Sequence, residues 1–295
     1  MKKICVILCL ATSSAWAQPN VPDIQPEWKV TVRIVGEDGF PIEKAHVGVG
    51  YYFNLSPTNI DGITDTNGIF VASAKGGGLI SFRADKTGYY PTSGTPLNFE
   101  SFTNNQWVPR NPSSTLLIKK IGKQTPMYAK QIDSLIFPEF NKSIGYDLMI
   151  GDWIAPYGKG INSDFLFTEH HGDAQSGYTY TVSFPHIGDG IQESTPDKTY
   201  GFSGLRSLKE APFEGYLPVR EQKEMPNQKK VFYFRVRTVR DSDGNIVSAH
   251  YGKIYGDFMQ FTYYLNPTPN DRNIEFDPSQ NLIHGLQAFE QARQP

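Results

Sequence analysis

The sequence predicts an all-β protein, a β-sandwich followed by a second β-rich unit, and three observations carry that expectation. Apolar and polar residues alternate over several short runs, the period of a half-buried strand. Glycine and proline are abundant, at 27 and 21 residues, and cluster between those runs as turn signals. Stretches with helical apolar spacing are scarce.

The chain opens on Lys2 and Lys3, an apolar run from Ile4 to Ala11, and Ala15-Trp16-Ala17. That pattern reads as a signal peptide over residues 1–17, with cleavage expected before Gln18 and export to the periplasm or the extracellular space. The apolar run is too short to span a bilayer, so no integral membrane segment is expected after its removal. Cys9 follows Val6, Ile7 and Leu8, which does not fit lipidation. Cys5 and Cys9 are the only cysteines, so after cleavage the chain would hold no disulfide, thiolate nucleophile or Cys-ligated zinc. The net charge of −2, with acids and bases interspersed, gives no footprint for nucleic acid.

In the first unit, residues 28–120, Trp28, Val30, Val32 and Ile34 share one face of a strand that ends at the Glu37-Asp38-Gly39 turn. Pro41-Ile42 leads to Ala45, Val47 and Val49. Asn67-Gly68 predicts a hairpin with two central residues at positive φ. Leu79 to Ala84 is a further strand and Thr115 to Lys120 the closing one. Tyr51 to Ile60 reads as a long connection, and Pro91 to Pro112, which contains Trp107, as a surface loop or a contact with the second unit.

Three blocks carry a resemblance: Asp38-Gly39-Phe40-Pro41-Ile42 with Ala45-His46-Val47, Thr64 to Phe70, and Lys86-Thr87-Gly88-Tyr89. In order and spacing they resemble the carboxypeptidase regulatory-like family. The resemblance implies a transthyretin-like β-sandwich that accompanies other domains and brings no catalytic residues. It also implies that residues 28–120 fold by themselves.

Thr125 to Ala129 reads as a linker to the second unit, residues 125–295. Strand patterns follow at Tyr146–Ile150, Asp164–Phe167, Tyr178–Phe184 and Lys230–Val239, the last turning at Asp241-Ser242-Asp243-Gly244-Asn245 into a partner over Ile246 to Gln260. Segments of this unit look like those of uncharacterised secreted bacterial proteins.

Among candidate chemistries, Asp241 to Asn245 resembles the start of a calcium loop, but Ile246 to Lys253 offers no closing Glu, and a hairpin turn is expected. Glu169-His170-His171-Gly172-Asp173, with His186 after the next strand, is the densest group of possible metal ligands, and His171, Asp173 and His186 are the set it could offer. His170 and His171, being adjacent on a strand, point to opposite faces, and too few ligands remain for a closed site. No metal or other cofactor is therefore expected. Asp152, Asp164, Glu169, Asp189 and Glu193 supply carboxylates from which a glycosidase pair could come. Ser163, Ser183 and Ser203 lack the Gly-x-Ser-x-Gly frame, and Gly158-Lys159-Gly160 is not a phosphate loop. Trp107, Trp153, Tyr157 and the pair Tyr178 and Tyr180 could form an aromatic platform for sugar rings, with Trp153 and Tyr157 expected on a loop. The expected function is a non-catalytic binding or structural protein whose partner is an extracellular polymer or envelope protein. The alternative is a carbohydrate-binding protein or carboxylate-dependent glycosidase with its site in residues 125–295.

Overall fold

The structure, a computed structural model, describes residues 26–53, 55–171, 178–194, 202–223 and 227–295. The signal-peptide segment and Asp173 lie outside the described residues. Among these the chain is all-β: strands form four sheets, and no helix is long and apolar enough to cross a membrane.

Ten strands build the first unit: β1 (Glu27–Val35), β2 (His46–Phe53), β3 (Ser56–Ile63), β4 (Ile69–Lys75), β5 (Leu79–Asp85), β6 (Thr92–Ser93), β7 (Leu97–Asn98), β8 (Ser101–Thr103), β9 (Gln106–Val108) and β10 (Ser113–Leu117). Strand β1 lies between antiparallel β4 and parallel β10, and in the facing sheet β2 lies between β3 and β5. Alternation does the rest. Trp28, Val30, Val32 and Ile34 from one sheet meet Val47, Val49, Ile80 and Phe82 from the other in one buried core.

Two turns differ from expectation. Asn67-Gly68 does not close a hairpin, because β3 and β4 pair with strands of different sheets. Only Gly68 has positive φ, at 69°, and the Asp65 carboxylate accepts the N–H groups of Asn67 and Ile69, fixing a turn that carries the chain across the sandwich. Tyr51 to Ile60 is no long connection either. The strands β2 and β3 run on through it, pairing from His46 with Ile63 out to Phe53 with Ser56. The segment 91–112 is both surface and contact: β7 pairs with β5, while β6 pairs with a strand of the second unit.

The second unit contains β11 (Thr125–Ile132), β12 (Ile144–Asp147), β13 (Asp152–Trp153), β14 (Phe165–His171), β15 (Tyr178–Ser183), β16 (Gly190–Ser194), β17 (Phe202–Ser203), β18 (Val219–Gln222), β19 (Val231–Arg240), β20 (Ile246–Gly256), β21 (Phe261–Leu265) and β22 (Phe276–Asn281). One sheet has the order β16-β19-β20-β21-β11-β22, the other β13-β12-β14-β15-β18. Their facing sides bury Phe165, Phe167, Phe232, Phe234, Ile254 and Tyr263 among others. The first of these sheets is buried on its second face too, by Met127, Tyr233, Tyr251, Tyr255 and Tyr264 under Ala211 and Ala292.

Thr125 to Ala129 is not a linker. It belongs to β11, between β21 and β22 in its sheet, and the ladder with β22 shifts register where Pro126 supplies no N–H. The β19–β20 hairpin forms as expected: Gly244 has φ 85°, and the Asp241 carboxylate accepts from the backbone of Asp243 and Asn245.

The two units are joined by more than the chain. Strand β17 extends the first unit's sheet through β6. The Tyr90 hydroxyl donates to Glu275 Oε1 at 2.6 Å, Lys119 Nζ to the Ser207 carbonyl at 2.9 Å, and Lys209 pairs with Glu37 at 2.6 Å.

Candidate functional site

Strands β14 and β15 pair from Leu166 with Ser183 to His171 with Tyr178. Glu169, His171, Tyr178 and Tyr180 therefore share the face of Phe167 and Val182, which are core. The inner face thus runs from buried aromatics to exposed ones at the end of the strand pair.

A short segment turns back over that end. Asn141 takes a left-handed conformation, φ 57°; its N–H donates to the Glu169 carbonyl at 2.8 Å and its Oδ1 accepts the His171 N–H at 3.0 Å. This fastening lays Phe140 on the His171 ring, centroids 3.8 Å apart and planes inclined by 31°. Tyr178 meets the His171 ring edge-on at 4.7 Å. Phe140 is 56% and Tyr178 60% exposed.

Polar groups surround the aromatics. Glu169 Oε1 lies 3.5 Å from His171 Nε2 and accepts from the Tyr180 hydroxyl at 3.4 Å; burial, then the Glu169 charge, push that phenol up to about 12. Glu139 accepts hydrogen bonds from the Tyr157 hydroxyl and from Lys142 Nζ, which together hold its carboxyl below the usual range. Lys142 Nζ also donates to the Tyr157 oxygen at 2.6 Å. Exposed aromatic rings with hydrogen-bonding side chains beside them can stack a pyranose face and bond its hydroxyls.

The sequence-derived candidates separate on this map. Tyr178 belongs to the patch, while Tyr157 packs against the core and reaches Glu139 and Lys142 with its hydroxyl. Trp153 lies outside the patch: although next to a loop, it is 9% exposed, its ring set among Phe137, Tyr146 and Phe167, and so it presents no face to a ligand. Trp107 belongs to the first unit, stacked on Phe99 with its Nε1 donating to the Gly76 carbonyl at 2.8 Å. His171 is committed to its aromatic neighbours, and His186 lies in the turn before β16. Among the described residues no group of three or more His, Cys, Asp or Glu side chains gathers to hold a metal. Phe140, Glu139 and Lys142 were not legible as site residues, since their role depends on a contact with a strand some thirty residues away.

Of the candidate glycosidase carboxylates, Glu169 lies beside His171 and Tyr180 in the patch, and the other four are engaged elsewhere. Asp164 is gripped by Arg237 at 2.7 and 3.0 Å, Asp189 accepts the N–H groups of Arg237 and Thr238, Asp152 accepts those of Trp153 and Lys159, and Glu193 pairs with Arg220 and Lys230. Ser207 Oγ lies 3.1 Å from both Lys253 Nζ and the Tyr255 hydroxyl, a spacing that would let a neutral lysine take the serine proton. Ser207 and Lys253 are both buried, however, and the Ser207 carbonyl is bound by Lys119 of the first unit, so the group fastens the seam.

The chain matches no protein-family profile and no curated protein. Among solved structures it is similar to 3-chlorocatechol 1,2-dioxygenase from Rhodococcus opacus 1CP (13% identity, 34% of this chain and 62% of the dioxygenase, TM-score 0.26). It is also similar to a candidate carbohydrate binding protein from Bacteroides uniformis (9% identity, 83% of this chain and 99% of that one, TM-score 0.22). A third is the Bacillus anthracis TIE protein (11%, 85% and 49%, TM-score 0.22). Likenesses this distant carry no functional argument.

Proposed function

We propose that this protein is exported and, without catalysing a reaction, binds an extended extracellular polysaccharide through the patch of Phe140, His171 and Tyr178. One observation carries the reading. Phe140 and Tyr178 both contact the His171 ring while remaining more than half exposed, and the fastening by Asn141 holds Phe140 against His171 before any ligand arrives. An apolar surface kept in place in water marks a contact site. The first unit fits an accessory module of the carboxypeptidase regulatory-like kind, supported by its three sequence blocks and its two-sheet core. The engagement of Asp152, Asp164, Asp189 and Glu193 in internal bonds supports a non-catalytic role.

A glycan array probed with the exported protein, followed by co-sedimentation with the best polymer, tests this. F140A/Y178A is expected to lose at least about tenfold in affinity, the scale of one or two stacking contacts, while melting as the parent does. Absence of any glycan signal, or binding indifferent to the double substitution, would defeat the proposal.

A further inference from the structure

A separate cleft of about 390 Å³ opens where the end of β11, the start of β21 and the C-terminal residues meet, a size that suits a small ligand. Arg206 lies on its wall. Its Nη2 donates to the carbonyls of Gln228 at 2.6 Å and Lys230 at 3.0 Å, and its plane lies 4.7 Å from the centre of the Tyr255 ring. The guanidinium is thereby held in one orientation, yet among the described residues it has no carboxylate partner. Burial pulls its pKa down, the mark of a cation short of a counter-ion. Arg293 is a second guanidinium in the same cleft, bonded among the described residues only to the Ala288 carbonyl at 3.4 Å. The one acid there, Asp133, accepts from Gln131 Nε2 at 2.7 Å. The side-chain amides of Gln260 and Gln294 line the space and make no hydrogen bond among the described residues.

Two guanidinium groups against a single lining carboxylate leave an excess of positive charge that an anion can meet, and the two planar amides beside them suit adjacent hydroxyls, since each amide can donate and accept at once. We propose that this cleft binds a uronic-acid residue, its carboxylate on Arg206 and Arg293 and its hydroxyls on Gln260 and Gln294. The inference does not rest on the aromatic patch, which lies on other strands.

Isothermal titration of the exported protein with digalacturonate tests it, with the dimethyl ester and acetate as comparisons. Saturable binding of digalacturonate is expected, with the ester and acetate at least about tenfold weaker, the scale of one charge-assisted hydrogen bond. R293Q, on an exposed side chain, is expected to weaken binding about tenfold; R206Q more, although it also removes the bonds to Gln228 and Lys230. F140A/Y178A should bind as the parent does, so that failure here and failure at the patch are told apart. No saturable binding, equal binding of ester or acetate, or an R293Q titration like the parent's would each overturn the proposal.

Discussion

Arg237 takes a left-handed backbone position, φ 54°, inside strand β19, where the ladder with β20 slips between Val236 and Val239. A non-glycine residue there costs about 1 kcal/mol or more, and its surroundings offset it. Asp189 accepts the N–H groups of Arg237 and Thr238 that the bulge takes from the ladder, and the guanidinium reaches Asp164 in bidentate fashion and Asp147 at 3.3 Å. Asp147 in turn accepts four backbone N–H groups, from Met149, Ile150, Ile161 and Asn162, and so shapes the loop before Asp164. Burial pushes the Asp164 carboxyl above its usual range, even with Arg237 pulling it down. R237M leaves two buried carboxylates without their cation, and about 3–5 kcal/mol of stability is expected to go at neutral pH. The folded variant then holds a proton on Asp164 more tightly than the unfolded chain does, so the deficit should shrink as the pH is lowered. Denaturant titrations at pH 7 and pH 5 check both; a loss that stayed constant with pH would speak against the carboxylate as its source.

At the scale of elements, the second unit depends on how closely β19, β20 and β21 approach. Gly252 pairs with Phe234 on one side and Leu265 on the other. A Cβ there would fall 2.2 Å from the Phe234 ring and 2.2 Å from the Tyr264 carbonyl, one of them backbone that cannot step aside. G252A is therefore expected to cost about 3 kcal/mol, more than the loss of glycine entropy could return; chemical denaturation measures it, and a neutral or stabilising result would contradict the packing described. The same register reasoning explains the aromatic patch. The ladder of β14 and β15 sets Phe167 opposite Val182 in the core and His171 opposite Tyr178 outside it, on one face.

Across the whole molecule, the seam between the units concentrates buried polar groups. Lys253 is completely buried with Ser207 Oγ as its hydrogen-bond partner and the rings of Tyr255 and Tyr264 each 5.0 Å away; burial pulls its pKa well below the usual lysine value. Unfolding returns it to water, where it takes up a proton. Between its folded pKa and about 10, the unfolded chain thus binds more protons and stability rises with pH, by up to about 1.4 kcal/mol per unit for one group. Lys119 at the same seam is lowered by burial as well and adds in the same direction. K253M, similar in length and uncharged, should unfold with a flatter pH dependence between pH 7 and 9. Because β17, Tyr90 and Lys119 join the units, parent and variant should each unfold in one transition. Urea titrations across that range test both statements; two resolved transitions, or equal slopes, would refute them.

The sequence by itself determined which residues face inward and where the clearest turn falls. Trp28, Val30, Val32 and Ile34 are core because period-two alternation is a local property of the strand, and Asp241 to Asn245 turns because Asp and Gly favour that backbone shape wherever they occur. Tertiary structure alone decided the partners. Asn67-Gly68 has the chemistry of a hairpin, yet its flanking strands found different sheets; Thr125 to Ala129 lacks a strong pattern of its own, yet lies inside a sheet because β21 and β22 receive it. Trp153, expected on a loop, entered the core, and Phe140, which no sequence pattern singled out, settled over His171. The physical reason is the same in each case: burial and ring contact are set by segments far apart in the chain, and alternation says which face a side chain takes without saying what will cover it.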